Sequence, residues 1–262
     1  MIKNNKYLIL RRLTQFLVLF LFFAGANLGL NILKGNLSTA LVLDSFHLSD
    51  PYAVLQMFFS GYIPTSEIIT GAIIVLVFYS LLGGRIFCSW VCPINIVTDF
   101  ASFTRKKLKI SPLIKKGTIS RKSRYFVLAL GLLLSFTAGV SAFELINPIS
   151  ILVRGIIFGA IFSLTAVVMV FLFDLFVMEH AWCGHFCPVG ATYALAGKYR
   201  LLKIFHTAEN CTLCMKCKNV CPEVQVMGII GKETGKIQSS ECTNCARCID
   251  VCNDDALKFK IK

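Results

Sequence analysis

The sequence predicts an all-α membrane domain of four transmembrane helices, two duplicated helix pairs, in residues 1–204, followed by a small α+β domain in residues 205–262. Three observations lead to this prediction. The mean hydropathy is +0.70, and 56% of the residues are apolar, above the roughly 45–50% of soluble domains. Long uncharged runs occur only in the first part. Eight of the 12 cysteines fall in two short runs in the second part.

Four uncharged stretches are long enough, or nearly so, to cross a hydrocarbon core about 30 Å thick, which takes about 20 helical residues. The first stretch follows two arginines and is too long for the apolar core of a cleavable signal, so we interpret it as a retained anchor. A further uncharged stretch, 51–66, is expected to be interfacial or re-entrant on the outer face, because a fifth span would invert every later loop. The predicted spans are Leu13–Leu33, Ile68–Gly84, Tyr125–Phe143 and Gly155–Phe173.

The distribution of basic residues predicts the orientation. The loops on the outer side carry only Lys34 and Arg154, whereas the N-terminal segment and the central loop carry the rest. By the positive-inside rule, both termini and the central loop are expected in the cytoplasm, with the chain crossing the membrane several times. The basic residues of the inner side are Lys3, Lys6, Arg11, Arg12, Arg85, Arg105, Lys106, Lys107, Lys109, Lys115, Lys116, Arg121, Lys122 and Arg124.

The net charge of +13 does not indicate nucleic acid as a partner. Residues 205–262 are nearly neutral, with eight Lys or Arg and seven Asp or Glu, so the positive excess lies in the membrane part and its flanks. Basic residues there are expected from topology and from contact with anionic lipid headgroups. The basic loop 105–124 would also suit an acidic cytoplasmic protein, but a topogenic role is the simpler interpretation.

The membrane part resembles two copies of one unit. In each copy a span is followed by an Asx-Pro turn, a second span and a Cys-x3-Cys-Pro motif. The proline of the turn precedes the first cysteine by 37 residues in the first copy, Pro51 to Cys88, and by 35 in the second, Pro148 to Cys183. Two copies of one topology would be related by an axis along the membrane normal.

The tail contains two cysteine runs with the spacing of iron–sulfur ligands. Each run reads Cys-x2-Cys-x2-Cys-x3-Cys, the pattern of bacterial two-cluster ferredoxins, in which the fourth cysteine of each run binds the other cluster. Disulfides are disfavoured in a cytoplasmic tail, and zinc prefers two separated cysteine pairs. Asn253 replaces the proline that usually ends the second run. The predicted ligands are Cys211, Cys214, Cys217 and Cys252 for one [4Fe–4S] cluster, and Cys242, Cys245, Cys248 and Cys221 for the other.

The two Cys-x3-Cys-Pro motifs lie just past the inner ends of two spans. Residues four apart share a helix face, so Cys88 with Cys92, and Cys183 with Cys187, would each point in one direction. If the two copies face each other, four thiolates meet on the cytoplasmic side. A third [4Fe–4S] cluster is one hypothesis. A redox dithiol pair and ordinary buried cysteines are the alternatives.

Together these features resemble the NapH family of membrane ferredoxin-type proteins, whose members serve the quinol dehydrogenase of periplasmic nitrate reductase. The resemblance rests on the four spans, the paired Cys-x3-Cys-Pro motifs and the two tail runs, and it covers nearly the whole chain. The same module is similar to MauN and, more distantly, to NosR and the CcoG/RdxA proteins. NosR is expected to carry a large periplasmic domain, for which this chain has no counterpart.

The resemblance implies oxidation of a membrane quinol, menaquinol or ubiquinol, with electrons passing through a periplasmic iron–sulfur protein of the NapG type toward nitrate reductase. Of the family's functional residues, only the twelve cysteines carry over. How electrons would pass from cytoplasmic clusters to the periplasm is left open. The alternatives are a redox maturation factor that reduces a metal or a thiol, and a membrane anchor for a periplasmic partner.

A quinol site needs an apolar slot and groups that accept protons. The sequence leaves the catalytic residues and the quinol site unassigned, because each ionisable residue near a span also has an ordinary interpretation as a solvated side chain. The candidates are His47, Asp50, Glu67 and Glu144 on the outer side, and Asp174, Glu179, His180 and His185 on the inner side.

Overall fold

The computed structural model describes residues 5–29, 32–114, 119–159 and 162–261. Lys3, Lys115 and Lys116 of the predicted inner side lie outside the described residues, as do short pieces of the first and fourth predicted spans. The described chain forms two compact units. The first unit consists of Met1–Gln15, Phe78–Val91 and Tyr193–Lys262, and the second of Phe16–Val77 and Cys92–Thr192.

Helices dominate the chain. Two π-helical segments, Phe173–Val177 and Trp182–Phe186, and two 3-10 segments, Gly197–Tyr199 and Val224–Met227, accompany the α-helices. The α-helices are α1 (Lys6–Asn27), α2 (Pro51–Phe59), α3 (Ser66–Leu82), α4 (Ile86–Trp90), α5 (Ile94–Leu108), α6 (Ser123–Ala138), α7 (Ala142–Ile146), α8 (Pro148–Phe158), α9 (Phe162–Leu172), α10 (Pro188–Ala196), α11 (Lys216–Val220) and α12 (Arg247–Asp250).

Each predicted span contains a helix, but with different limits. α1 begins seven residues before Leu13 and ends at Asn27. α3 fills most of the second span. α6 ends early because Gly139 adopts a left-handed φ of 67° and closes the helix. The prediction of one helix over Gly155–Phe173 is wrong, because Gly159 has a φ of 66° and ends α8 there, so that α9 begins a separate helix.

One helix of the described chain, Lys6–Asn27, has the length and composition to cross a membrane without help from its neighbours. Four shorter apolar helices accompany it, each of 10–17 residues: Ser66–Leu82, Ser123–Ala138, Pro148–Phe158 and Ser163–Val177.

The prediction of an all-α membrane domain is wrong for the outer loop after α1. Strands β1 (Leu33–Gly35), β2 (Thr39–Val42) and β3 (Phe46–Ser49) form an antiparallel sheet in the order β1-β2-β3. The side chain of Asn36 accepts hydrogen bonds from the backbone N–H of Ser38 and of Thr39, which builds the first turn of this sheet. Strand pairing satisfies backbone groups that a loose loop would leave without partners beside apolar helices.

The proposed re-entrant segment begins with a short helix, α2, whose first turn is buried. The second copy contains an equivalent helix, α8. In both, a proline takes the first helical position, where its missing N–H costs nothing and its fixed φ suits the helix. The Asx-Pro turns of the sequence are therefore the N-termini of two half-length helices.

Gly71 of α3 touches the sheet of the second unit. A Cβ at this position would overlap the carbonyl oxygen of His47 in β3. We expect Gly71→Ala to lower stability by about 1–3 kcal/mol, since backbone must move to admit a methyl group. Thermal unfolding of the purified protein measures the effect. Gly228→Ala is the control, because a Cβ there meets open space, and equal melting temperatures for the two variants would contradict the prediction.

The tail has its own small sheet and core. Strands β4 (Leu202–His206), β5 (Gly235–Lys236) and β6 (Leu257–Ile261) are antiparallel in the order β5-β4-β6. β4 lies just before the first cysteine run, and β6 follows the second. The core of this sheet packs Ile204, Met227, Ile237 and Leu257 together with cysteines of both runs.

Candidate metal centres

The tail cysteines line two separate cavities of similar size. The empty space in them, part of it open to solvent, is about 340 Å³ in one and about 320 Å³ in the other. Four cysteines line each space, three from one run and the last cysteine from the other run. The first is lined by Cys221, Cys242, Cys245 and Cys248, and the second by Cys211, Cys214, Cys217 and Cys252.

The backbone has the same unusual shape in both runs. Leu213 and Met215 flank Cys214 with φ values of 60° and 57°, and Asn244 and Ala246 flank Cys245 with 50° and 59°. Non-glycine residues seldom adopt this conformation, and they do so mainly where a site requires it. Alternating left-handed and right-handed residues turn successive N–H groups into a concave surface that suits anionic iron–sulfur sites.

The two spaces differ in exposure and charge. Three of the four cysteines around the larger space are buried, whereas Cys214 of the other is exposed. Burial raises the pKa of the Cys242 thiol, and the neighbouring guanidinium of Arg200 acts in the opposite direction. Arg200 itself is buried and donates hydrogen bonds to the carbonyl oxygens of Ser239 and Ile237, at 2.7 Å each. A fixed positive charge thus lies beside the buried set of thiols.

Within the first unit, α4 contacts the loop of the second run directly. Ser89 Oγ donates a hydrogen bond to the carbonyl oxygen of Thr243 at 2.7 Å, and Trp90 Nε1 donates to that of Asn244 at 3.1 Å. These two acceptors lie between Cys242 and Cys245. Because α4 also carries Cys88, the first Cys-x3-Cys-Pro motif begins on a helix fixed to the buried set of tail cysteines.

A buried ion pair fixes the beginning of the same helix. Arg85 NH1 lies 2.8 Å from Glu223 Oε1, and the two side chains are only 1% and 4% exposed. Arg85 also donates to the carbonyl oxygen of Glu241 at 2.9 Å. The sequence places Arg85 among the basic residues of the inner side, and Glu223, 138 residues away, provides its buried counter-charge.

The remaining cysteines of the paired motifs are in the second unit. Cys92 and Cys187 are buried, and each is followed by a proline and a new helix, α5 or α10. Cys183 lies within the second π-helical segment, which ends at Phe186. π-helical turns are rare and are frequently found at functional sites.

The inner-side candidates have structural partners. Asp174 Oδ1 accepts from the backbone N–H of Trp182 at 3.1 Å, and Glu179 accepts from Ser102 Oγ at 2.7 Å. His185 Nε2 lies 3.1 Å from the carbonyl oxygen of Ile119. His180 is buried, with its Nε2 4.0 Å from Glu179. These contacts explain the four residues as connections between α5, α6 and the π-helical segments.

The outer-side candidates divide into two pairs. His47 Nδ1 lies 3.2 Å from Glu67 Oε2, and the two side chains are 32% and 70% exposed, as expected for solvated residues. Asp50 and Glu144 are different, because Asp50 is buried and Glu144 lies close enough to raise its pKa. Burial is the larger cause, and the pKa of Asp50 is raised to about 7.

Comparison with known proteins identifies the family. A 4Fe-4S binding domain model matches twice, at residues 67–111 and 156–205, and a 4Fe-4S dicluster domain model matches residues 203–253. The ferredoxin-type protein NapH of Haemophilus influenzae is 41% identical over 98% of this chain and 91% of its own length. The chain belongs to the NapH and MauN family of ferredoxin-type proteins.

Other members agree with this assignment. NapH of Escherichia coli is 40% identical over 97% of this chain and 88% of its own length, and the methylamine utilization ferredoxin-type protein MauN of Methylorubrum extorquens is 41% identical over 90% and 81%. No solved structure matches the chain. Like its family, the chain is a membrane-associated iron–sulfur protein of electron transfer. The donor sets fit [4Fe–4S] clusters, because each of the two tail cavities has four thiols and the backbone conformation such sites favour.

Proposed function

We propose that this protein oxidises a membrane quinol, menaquinol or ubiquinol, and passes the electrons toward a respiratory enzyme, with periplasmic nitrate reductase as the first candidate and a periplasmic iron–sulfur protein of the NapG type as its partner. The proposal rests mainly on family membership over nearly the full length. MauN relatives are equally similar, so a methylamine-oxidising system is the second candidate for the respiratory partner.

The proposed topology has four spans, with both termini in the cytoplasm of a bacterial inner membrane. Support comes from large apolar side chains that face outward on every long apolar helix, for example Phe16 on α1, Ile73 on α3, Phe126 on α6 and Met169 on α9. Contiguous exposed apolar surface of this kind is rare on soluble proteins. The helices shorter than 18 residues would cross with the help of the turns and π-helical segments at their ends.

We further propose that the tail cysteines bind two [4Fe–4S] clusters, and the support for the predicted pairing is that the same four cysteines line each tail cavity. A bound [4Fe–4S] cluster accepts and releases single electrons. We also propose a third [4Fe–4S] cluster, whose ligands would be Cys88, Cys92, Cys183 and Cys187. Its support is that the 4Fe-4S binding domain model matches the chain twice, and each match contains one Cys-x3-Cys-Pro motif.

The order of electron transfer follows from burial and contact. α4 joins Cys88 to the loop of Cys242 and Cys245, so electrons would pass from the membrane part to the buried set of tail thiols first. The set that includes Cys214 would exchange electrons with the buried set and is the more exposed of the two, because Cys214 and the neighbouring Leu213 are exposed.

Direct reduction by quinol tests the function. We would purify the protein anaerobically in detergent and follow its clusters by EPR while adding menadiol. We expect reduction of the clusters, and oxidation by menaquinone after chemical reduction. Intact clusters that exchange no electrons in either direction would overturn the proposal and favour a maturation factor or an anchor. Reduction of added metal ions or disulfides would then identify the maturation factor.

A further inference from the structure

The N-termini of α2 and α8 meet at one buried polar cluster in the second unit. Ser38, in the turn between β1 and β2, joins them. Its carbonyl oxygen accepts from the backbone N–H of Asp50, the residue before α2, at 2.8 Å. Its hydroxyl lies 2.7 Å from the hydroxyl of Ser150 in the first turn of α8, and 2.7 Å from Glu144 Oε1. The sheet that the sequence did not predict thus closes this cluster.

Asp50 and Asn147, the residues before α2 and α8, differ in their hydrogen bonds. Asn147 caps α8, accepting from the backbone N–H of Ile149 at 3.1 Å and donating to Glu144 and Ser150. The carboxyl group of Asp50 makes no capping hydrogen bond of normal distance and angle, although the backbone N–H groups of Tyr52 and Ala53 lie near enough to lower its pKa. Its Oδ1 is buried and has no hydrogen-bond partner among the described residues. A buried polar atom without a partner is costly and calls for a ligand or a function.

The cluster has a neighbour at the surface and a neighbour in the interior. Glu144 lies 3.8 Å from Arg154, and their side chains are 15% and 50% exposed, so the cluster approaches the surface at this carboxyl group. Tyr52 of α2 is within electrostatic range of both Asp50 and Cys187. The tyrosine ring packs edge-on against Phe143 at 5.8 Å, which places aromatic surface two residues from Asp50.

We propose that the hydroxyl of the substrate quinol binds in this cluster and that Asp50 Oδ1 accepts its proton, with Glu144 as the second acceptor. This inference rests on the proposed quinol oxidation. For each quinol, two O–H bonds break, two protons leave through the carboxyl groups, and two electrons go to iron–sulfur clusters while the quinol becomes a quinone. Converging half-length helices are a recognised way to build a substrate site inside a membrane.

The properties of Asp50 suit this role. A pKa of about 7 lets the carboxyl group take up a proton and release it again near neutral pH. Glu144 on α7 and Tyr52 on α2 are the titratable groups near Asp50, and Arg154 on α8 pairs with Glu144. The rate of cluster reduction by quinol should therefore rise with pH as Asp50 ionises and then level off.

The test compares Asp50→Asn with the wild type by stopped-flow reduction with menadiol. Asparagine keeps the shape of the side chain, and position 147 of the second copy already holds it. Loss of a general base lowers a rate by about 100-fold or more, so we expect a fall of that size and a flat pH profile. Glu67→Gln, a carboxyl group in the exposed outer pair with His47, is the control and should behave as the wild type.

Two further measurements separate the possible failures. A fluorescent hydroxyquinoline N-oxide, which mimics a quinol, should bind to the wild type and to Asp50→Asn but not to Asp50→Leu, and its fluorescence reports binding without electron transfer. Iron content shows whether each variant has folded, and Glu144→Gln provides a second variant if Asp50→Asn has not. A wild type that menadiol does not reduce would overturn the proposed function. A wild type that is reduced, with Asp50→Asn equally fast at every pH, would overturn the site alone.

Discussion

Cys183→Ala is expected to reduce the iron content from about twelve to about eight atoms per chain, because three four-iron clusters would become two. Cys183 belongs to the second Cys-x3-Cys-Pro motif and lies within a π-helical segment. It is not a member of either tail run. The EPR signals of the two tail clusters should remain, and one further signal should disappear. Iron analysis and EPR of the anaerobically purified protein measure both effects.

The control for this experiment is Thr192→Ala in α10. Thr192 donates only a local hydrogen bond to the carbonyl oxygen of Pro188 among the described residues, so its loss should leave iron unchanged. A wild type with about eight irons, unaffected by Cys183→Ala and Cys88→Ala alike, would contradict a third cluster. The four membrane cysteines would then be a redox dithiol set or ordinary buried thiols.

Arg85→Met is expected to destabilise the first unit by about 3–5 kcal/mol, because Glu223 would remain buried without its counter-charge. Glu223 is next to Pro222 and Cys221, so the effect should reach the buried set of tail thiols. We expect the visible absorption of the tail clusters to bleach at a lower temperature than in the wild type. Electron transfer to the tail should also slow, since α4 is anchored at Arg85.

A second substitution and a surface pair provide the controls. Arg85→Met combined with Glu223→Leu removes both charges and should recover part of the lost stability. Lys34→Met breaks the exposed pair with Asp44, which at 2.7 Å is as short as the buried one but has side chains 39% and 41% exposed. It should cost less than about 1 kcal/mol. Equal effects of Arg85→Met and Lys34→Met would show that burial of the Arg85 pair contributes nothing.

Sequence reasoning recovered the family because its decisive signals are local. Cysteines three and four residues apart are held near one another by the chain itself, so their spacing indicates the ligand sets without knowledge of the fold. The prolines after Asp50 and Asn147 likewise mark helix starts wherever they occur. Helix limits were less well predicted, since Gly139 and Gly159 end helices inside apolar runs that continue past them.

Long-range contacts could not be predicted from the same patterns. The buried pair of Arg85 could not be predicted, because its partner Glu223 lies 138 residues away in the chain. Asp50 and Glu67 could not be told apart in the sequence, where each is a carboxylate beside an apolar run. Their difference comes from the sheet of residues 33–49, which the hydropathy pattern did not reveal.

The sequence by itself determined the family, the apolar helical character and the cysteine spacing, because these depend on residue type and on distances of a few positions. The tertiary structure alone decided which charges are buried, where α8 and α9 separate, and that Ser38, Asp50, Glu144 and Ser150 share one cluster. The physical reason is that burial and pairing depend on residues far apart in the chain. A carboxylate is solvated in water, whereas the same group is costly to keep ionised when it is buried without a full set of hydrogen-bond partners.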